Sequence, residues 1–307
     1  MSSHAAPAHC TPSITPGRTV KAWWQAAPFT LVFVLFFLLP LGLILMVSFW
    51  NFNEYELIPG FTFKNYFSIF EGCTQLTDNG DICVTLKTYI STLKFCLLVW
   101  GITLLLGFSV AYFLAFHVRS PGMQTALFVL CTVPFWTSNV IRMISWVPLL
   151  GRNGLVNQGL VGVGVVNQPV EWLLFSDFSV VLAFVHLYTM FMIVPIFNSM
   201  MRIDRSLLEA ASDIGATGWQ TLWNVIVPLS RTGIIIGSIF VITIVMGDFV
   251  TIGVMGGQQI ASIGKIIQVQ TSYLQFPLAA ANAVILLAVV LMIIWGLTRL
   301  VDLRREL

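Results

Sequence analysis

The chain has 307 residues, of which 57% are hydrophobic and 9% charged, and its mean hydropathy is +0.89. Soluble domains carry about 25% charged residues, so water is not the main solvent of this chain. A formal net charge of +2 provides no basic surface for phosphates, which excludes a nucleic-acid binder along with a soluble enzyme and a disordered scaffold.

A membrane-crossing helix needs about 20 mostly apolar residues at about 1.5 Å rise each. In chain order such stretches run from Pro28 to Trp50, Tyr89 to Phe116, Met123 to Leu150, Leu173 to Met201, Gly233 to Met255 and Phe276 to Leu300. They predict an all-α polytopic bundle of six transmembrane helices in lipid, with a tail over 1–27, a membrane domain over 28–301 and a second tail over 302–307. The first stretch is too long for a signal-peptide core, and Ser48-Phe49-Trp50-Asn51 has no small-residue cleavage site, so it is read as an anchor. With both termini cytoplasmic, Arg18, Lys21, Arg119, Arg202, Arg205, Arg231, Arg299, Arg304 and Arg305 lie inside, and Lys64, Lys87, Arg152 and Lys265 lie outside. Translocating Lys and Arg is costly, so this is the favoured topology. Lys94, one turn into the second stretch, is close enough to the outer surface for its ammonium to snorkel out.

The segment 51–88 then forms an outer loop. Cys73 and Cys83 within it would face an oxidising compartment, where either a disulfide or two free thiols are open readings. Cys-x9-Cys without a nearby His is a poor zinc pattern, and no metal site is expected. Pro40, Pro134, Pro148 and Pro195 interrupt the spans, and freed backbone groups need neighbours or water, as in a bundle built around a path. Gly233 and Gly237 let the fifth span approach another helix closely.

No nucleotide site is present. Ser262-Ile263-Gly264-Lys265 lacks the first glycine of a phosphate loop, at Gln259, and its Ser/Thr, at Ile266. The inner stretch 202–231 encodes two short amphipathic helices. Ser206 to Glu209 has capping-box spacing, Leu207, Ala211 and Ile214 share a face, and Gly215 provides a stop. Thr217 to Gln220 repeats the start signal, Trp219, Leu222, Trp223 and Ile226 share a face, and Pro228 prevents simple continuation into the fifth span. So short a piece cannot bury both faces on itself. They pack on the bundle's own ends, on lipid or on another protein.

Glu209-Ala210-Ala211, then Gly215, then Val225-Ile226-Val227-Pro228 resembles the EAA loop of permease subunits in binding-protein-dependent ABC importers. The family's Ile and Leu are replaced here by Val225 and Val227, conservative swaps on an apolar face. The similarity extends through Phe63-Lys64-Asn65-Tyr66-Phe67, Gly107 to Ala115, Val140-Ile141-Arg142, Gly151-Arg152-Asn153-Gly154-Leu155-Val156-Asn157, Gly247-Asp248-Phe249-Val250 and Pro277-Leu278-Ala279-Ala280-Ala281, which look like the permeases of polyamine (spermidine/putrescine) importers. The resemblance implies a type I permease fold in a bacterial inner membrane and a coupling role for Glu209, Ala210, Ala211, Gly215, Val225 and Pro228. It also implies a second permease subunit, two copies of an ATPase that holds ATP and Mg, and a periplasmic solute-binding protein. No cofactor and no catalytic residue belong to this chain on that reading. Alternatives are an importer of another small solute and an ion-driven secondary transporter, which would favour more intramembrane carboxylates than Asp248.

Arg142 and Asp248 are the charges furthest from any predicted helix end, ~28 Å and ~22 Å from the inner face at ~1.5 Å per residue. In one reading Asp248 receives a cationic group of the solute, with Trp136, Trp146 or Phe249 adding cation–π attraction. In the other, Arg142 and Asp248 pair with each other or with helix ends and brace the bundle. His186 is expected to be buried, neutral and hydrogen-bonded to a neighbour.

Overall fold

The computed structural model describes residues 27–53, 56–71, 84–257 and 259–299; Cys10, Cys73, Cys83 and both tails lie outside them. The first apolar stretch forms α1 (Ala27–Val47), with a mean hydropathy of 2.8. Pro40 has no N–H to give, and the turn before it, Val34–Leu38, widens into π geometry.

From Ser48 onward the chain makes a second compact unit. A two-residue antiparallel ribbon, β1 (Asn51–Phe52) with β2 (Leu57–Ile58), leads into α2 (Lys64–Ile69). Asn65 of α2 is buried and donates to the carbonyls of Ser48 and Trp50 at 2.9 and 2.8 Å. It satisfies two carbonyls near the start of this unit.

The core is built from α3 (Val84–His117), α8 (Asp177–Met200) and α11 (Arg231–Gly247), which pack on one another. Small residues set their separation. A Cβ on Gly107 of α3 would lie 2.8 Å from Met192 Cγ, and one on Gly237 of α11 would lie 2.7 Å from Met192 Sδ. On Gly233 it would press directly on the Pro195 carbonyl. The close approach expected of Gly233 and Gly237 is therefore made to α8, with Met192 wedged between three helices. Trp100 Nε1 adds a 2.8 Å hydrogen bond from α3 to Ser238 Oγ of α11.

Two predicted spans are not straight helices. The third breaks after α4 (Pro121–Trp136) and turns through 91° into α5 (Asn139–Ile144), α6 (Trp146–Leu150) and α7 (Leu155–Gly162). The depth inferred for Arg142 from a continuous helix does not apply, because Pro134 tightens the end of α4 into a 3₁₀ turn and Thr137 is extended. The fifth span ends at Gly247, and α12 (Val250–Met255) follows after Asp248 and Phe249. Next, α13 (Ile263–Ser272) is capped by Ser262, which accepts from Lys265 N at 3.2 Å, and a Cβ on Gly264 would meet the Gly247 carbonyl at 2.8 Å. The Ser262 to Lys265 segment is thus a helix cap against α11. The chain closes with α14 (Phe276–Arg299). By length and composition the helices account for four membrane spans, or six if each bent pair is one span.

Candidate functional site

Between α8 and α11 the chain folds into an elbow, α9 (Arg205–Asp213) followed by α10 (Gly218–Leu229). The first cap is Asp204, whose carboxylate accepts from Ser206 N at 3.0 Å; Ser206 lies inside the helix, so the capping box read at Ser206–Glu209 does not form. Hydrogen bonding from Ser206 holds the Asp204 carboxyl below the usual carboxylate range. Gly215 ends α9 at φ +81, a left-handed conformation that glycine adopts without a Cβ clash. Thr217 and Gln220 form the expected reciprocal box, at 2.8 and 3.3 Å. Pro228 lies in the last turn of α10, after a π turn over Leu222–Ile226, and the chain bends by 66° at Ser230, so α10 does not continue straight into α11, as expected.

The elbow buries only part of its apolar face. Ala211 and Ile226 point into the molecule, whereas Ile214 is 86% exposed and Trp219 69%. Leu207 and Trp223 are exposed as well, and Trp223 meets Trp219 edge to face at 5.7 Å. Glu209, Ala210 and Pro228 are exposed and Val225 is half-buried. Of the two faces the sequence encodes, the structure thus packs one edge on the bundle and leaves a rim of large side chains free.

At the opposite end of α11, Asp248 occupies the break before α12. The Thr251 amide donates to its Oδ1 at 2.9 Å and the Thr251 hydroxyl to its Oδ2 at 2.7 Å. The Tyr188 hydroxyl of α8 donates to the same Oδ2. Three neutral donors therefore stabilise the carboxylate, and no cation neutralises it: the ion pairs among the described residues are Lys94–Asp177 and Arg152–Glu171. Arg142 and Asp248 do not pair with each other; Asp248 instead takes the helix-end partner of the bracing reading, at the start of α12. Arg142 is buried and donates through Nη2 to Asn139 Oδ1, while its Nε lacks a partner among the described residues. Helix α5 packs on α12, which leaves Arg142 within electrostatic reach of Tyr188.

Trp146 comes next to His186, whose Nδ1 accepts from Trp146 Nε1 at 2.9 Å. Indole nitrogen can only donate, so Nδ1 is unprotonated and the ring neutral and bonded to a neighbour, as expected, but His186 is exposed rather than buried because its side of α8 is left open. Trp136 is 86% exposed at the break of the third span, and Phe249 lies at the break beside Asp248. Sequence reasoning missed Tyr188, which is 60 residues from Asp248, and Thr251, although Asp-x-x-Thr before a helix is a capping signal. It also missed why Asn157 follows the Gly151 to Leu155 segment. Asn157 donates to the carbonyls of Gly151 and Val170, both at 3.0 Å, and accepts from Val170 N, pinning the loop after α7.

Exposed side chains differ sharply between faces. Mid-helix, α3 exposes Leu97, Leu98, Ile102, Leu105 and Leu106, and α14 exposes Leu287, Leu291 and Met292, all suited to lipid. The α8–α11 face instead exposes His186, Asn198 and Thr243, beside the polar break at Thr137, Ser138 and Asn139. Polar side chains aimed at hydrocarbon are costly, so this face is built to meet water, solute or protein. At its elbow end it is grooved, with a volume of about 650 Å³ lined by Asn198, Ser199, Arg202, Thr232, Ile236 and Phe240.

Residues 103–306 match the family described as the binding-protein-dependent transport system inner membrane component. This chain belongs to that family. It is 31% identical over 280 residues to the spermidine/putrescine transport system permease protein PotB of Escherichia coli (strain K12), covering 89% of this chain and 96% of that one. It is 29% identical over 242 residues to PotB of Haemophilus influenzae, covering 76% and 78%. The inner membrane ABC transporter permease protein YdcU of Escherichia coli (strain K12) is 26% identical over 225 residues, covering 69% and 68%. In fold, the chain matches a subunit of a bacterial alginate ABC transporter in complex with an alginate pentasaccharide-bound periplasmic protein. The TM-score is 0.68 at 20% identity, over 92% of this chain and 96% of that one. The chain is thus an inner-membrane permease component of an ABC importer.

Proposed function

We propose that this permease component, paired with a second permease subunit, passes a polyamine such as spermidine or putrescine into the cell. A periplasmic receptor delivers the solute, and two copies of a separate ATPase, which hold ATP and Mg, supply the energy. Both termini and the elbow face the cytosol, as the Lys and Arg distribution favours. The exposed rim of Leu207, Ile214, Trp219 and Trp223 docks on the ATPase. Closure of the ATPase pair pushes the elbow, and the 66° bend at Ser230 carries that push into α11 and so to the break at Asp248.

The observation that carries the polyamine reading is Asp248, a partly exposed carboxylate that accepts from three neutral donors and has no cationic partner among the described residues. An ammonium group of the solute completes it. The PotB relatives, named for spermidine and putrescine transport, support the same solute class. Reconstituting the complete transporter in liposomes and measuring ATP-driven spermidine uptake tests it. Asp248→Asn is expected to assemble normally and to lose uptake at least tenfold. Unchanged uptake in that variant overturns the role of Asp248, and a wild-type transporter that ignores spermidine and putrescine overturns the solute class.

A further inference from the structure

Between the polar break around Asp248, His186 and Asn139 and the groove that carries Asn198 and Arg202, the α8–α11 face exposes mainly apolar side chains. A cavity of about 220 Å³ there is lined by Phe135, Met190, Phe191 and Phe240 among others, and it shares Val194, Pro195 and Phe240 with the groove below. Three rings meet in it. Phe135 stands edge-on to Phe191 at 5.5 Å between centroids, and Phe191 lies 6.2 Å from Phe240. They come from three separate spans, α4, α8 and α11. Phe135 and Phe240 are exposed and Phe191 half-buried, so the rings front the open face of the unit.

Their depth is set by the helices that carry them. Phe191 lies nine residues from the elbow end of α8 at Met200, and Phe240 nine residues from the elbow end of α11 at Arg231. At ~1.5 Å per residue both are ~14 Å in, close to the midplane of a hydrocarbon core about 30 Å thick. The polar groups of this face flank that level on both sides. A wall facing lipid has no reason to place histidine and asparagine on either side of a ring cluster, whereas a path closed by an apolar constriction has this sequence of linings.

We propose that Phe135, Phe191 and Phe240 are this subunit's part of a seal across the transport path, with Phe191 as its hub. The inference rests on the transport reading above and adds the residues that keep the path closed to water and small ions. Apolar rings exclude hydrated ions by dewetting, while an alkylammonium crosses by exchanging its water for ring faces. Phe191 also lies 6.1 Å from Tyr188, the residue that donates to Asp248. The seal therefore touches the group that holds the candidate cation site.

The test uses the complete transporter with its second permease, ATPase and receptor in liposomes, and reads three quantities: assembly, ATP-driven spermidine uptake, and passive leak of entrapped potassium without ATP. Phe191→Ala is expected to raise the potassium leak at least tenfold, and Phe191→Leu to remain near the wild-type rate. Trp295→Ala, an exposed aromatic on α14 away from this face, is expected to change nothing. If Phe191→Ala does not assemble, Phe135→Ala and Phe240→Ala decide, because both side chains are exposed and their removal spares the core. Assembled alanine variants that stay tight to potassium overturn the seal. A wild-type transporter that takes up no spermidine, with alanine variants that leak potassium, retires the solute assignment and leaves the seal standing.

Discussion

Asp248 and Gly233 are single residues whose surroundings determine what their replacement does. The Asp248 carboxylate takes two of its hydrogen bonds from Thr251, three residues on, and the third from Tyr188 on another helix. Tyr188→Phe removes the long-range donor and leaves the local cap. A hydrogen bond to a charged group contributes about 1.5–3 kcal/mol. The carboxylate then keeps its local cap but loses its aim, so we expect Tyr188→Phe to raise the apparent KM for spermidine several-fold with an assembled complex and little change in the maximal rate. A purely structural role for Tyr188 would instead lower the amount of assembled transporter. Gly233 has no room for any side chain, since even a Cβ would press on the Pro195 carbonyl, Ser199 Cβ and Ile196 Cα. Gly233→Leu is expected to destabilise the subunit by about 1–3 kcal/mol or more through overpacking. Thermal unfolding in detergent checks this, with Gly296→Leu as the control, because nothing lies within 4 Å of a Cβ there.

At the scale of elements, the elbow and the broken spans behave differently from the straight helices. Local signals specify the elbow: Thr217 with Gln220 starts α10, and Gly215 at φ +81 separates it from α9. Those two features were readable because each depends on residues three apart or on a single left-handed position. The first cap was misread by two residues, since Asp204 and Ser206 both suit the position and only the folded chain chooses between them. Once folded, the elbow displays Trp219 and Trp223 on its exposed rim. Buried aromatic anchors dominate interface energetics, so we expect the double variant Trp219→Ala, Trp223→Ala to lose ATPase association or stimulation by at least tenfold while the membrane subunit keeps its fold. Co-purification with the ATPase and circular dichroism read the two separately. Retained association would mean that the elbow is held by its backbone and Glu209 rather than by its aromatic rim.

For the whole molecule, we propose an engine outside the chain. No described element resembles a nucleotide-binding loop, and the Ser262 to Lys265 segment that superficially does is a helix cap lodged against α11. The chain by itself in liposomes, without ATPase, receptor or second permease, is expected neither to hydrolyse ATP nor to concentrate spermidine against a gradient. Accumulation by the isolated chain would favour an ion-driven transporter instead. The same division appears in the surface of the unit. Leucine-covered α3 and α14 need only lipid, whereas the face of α8 and α11, with His186, Asn198 and Thr243, needs a polar companion.

The sequence by itself determined the solvent of this protein, the number and order of its apolar stretches, and the start and stop signals of the elbow. Those features depend on composition over about 20 residues or on spacings of three or four, which are local along the chain. Tertiary structure alone decided that the third and fifth spans break, that Asp248 answers to Tyr188 rather than to Arg142, and that Met192 fills the space left by Gly107 and Gly237. It also decided that Phe135, Phe191 and Phe240 converge at one depth. Each of these joins residues tens of positions apart. Hydropathy treats a straight apolar helix and a bent one alike, so only the packing of one helix on another selects between them.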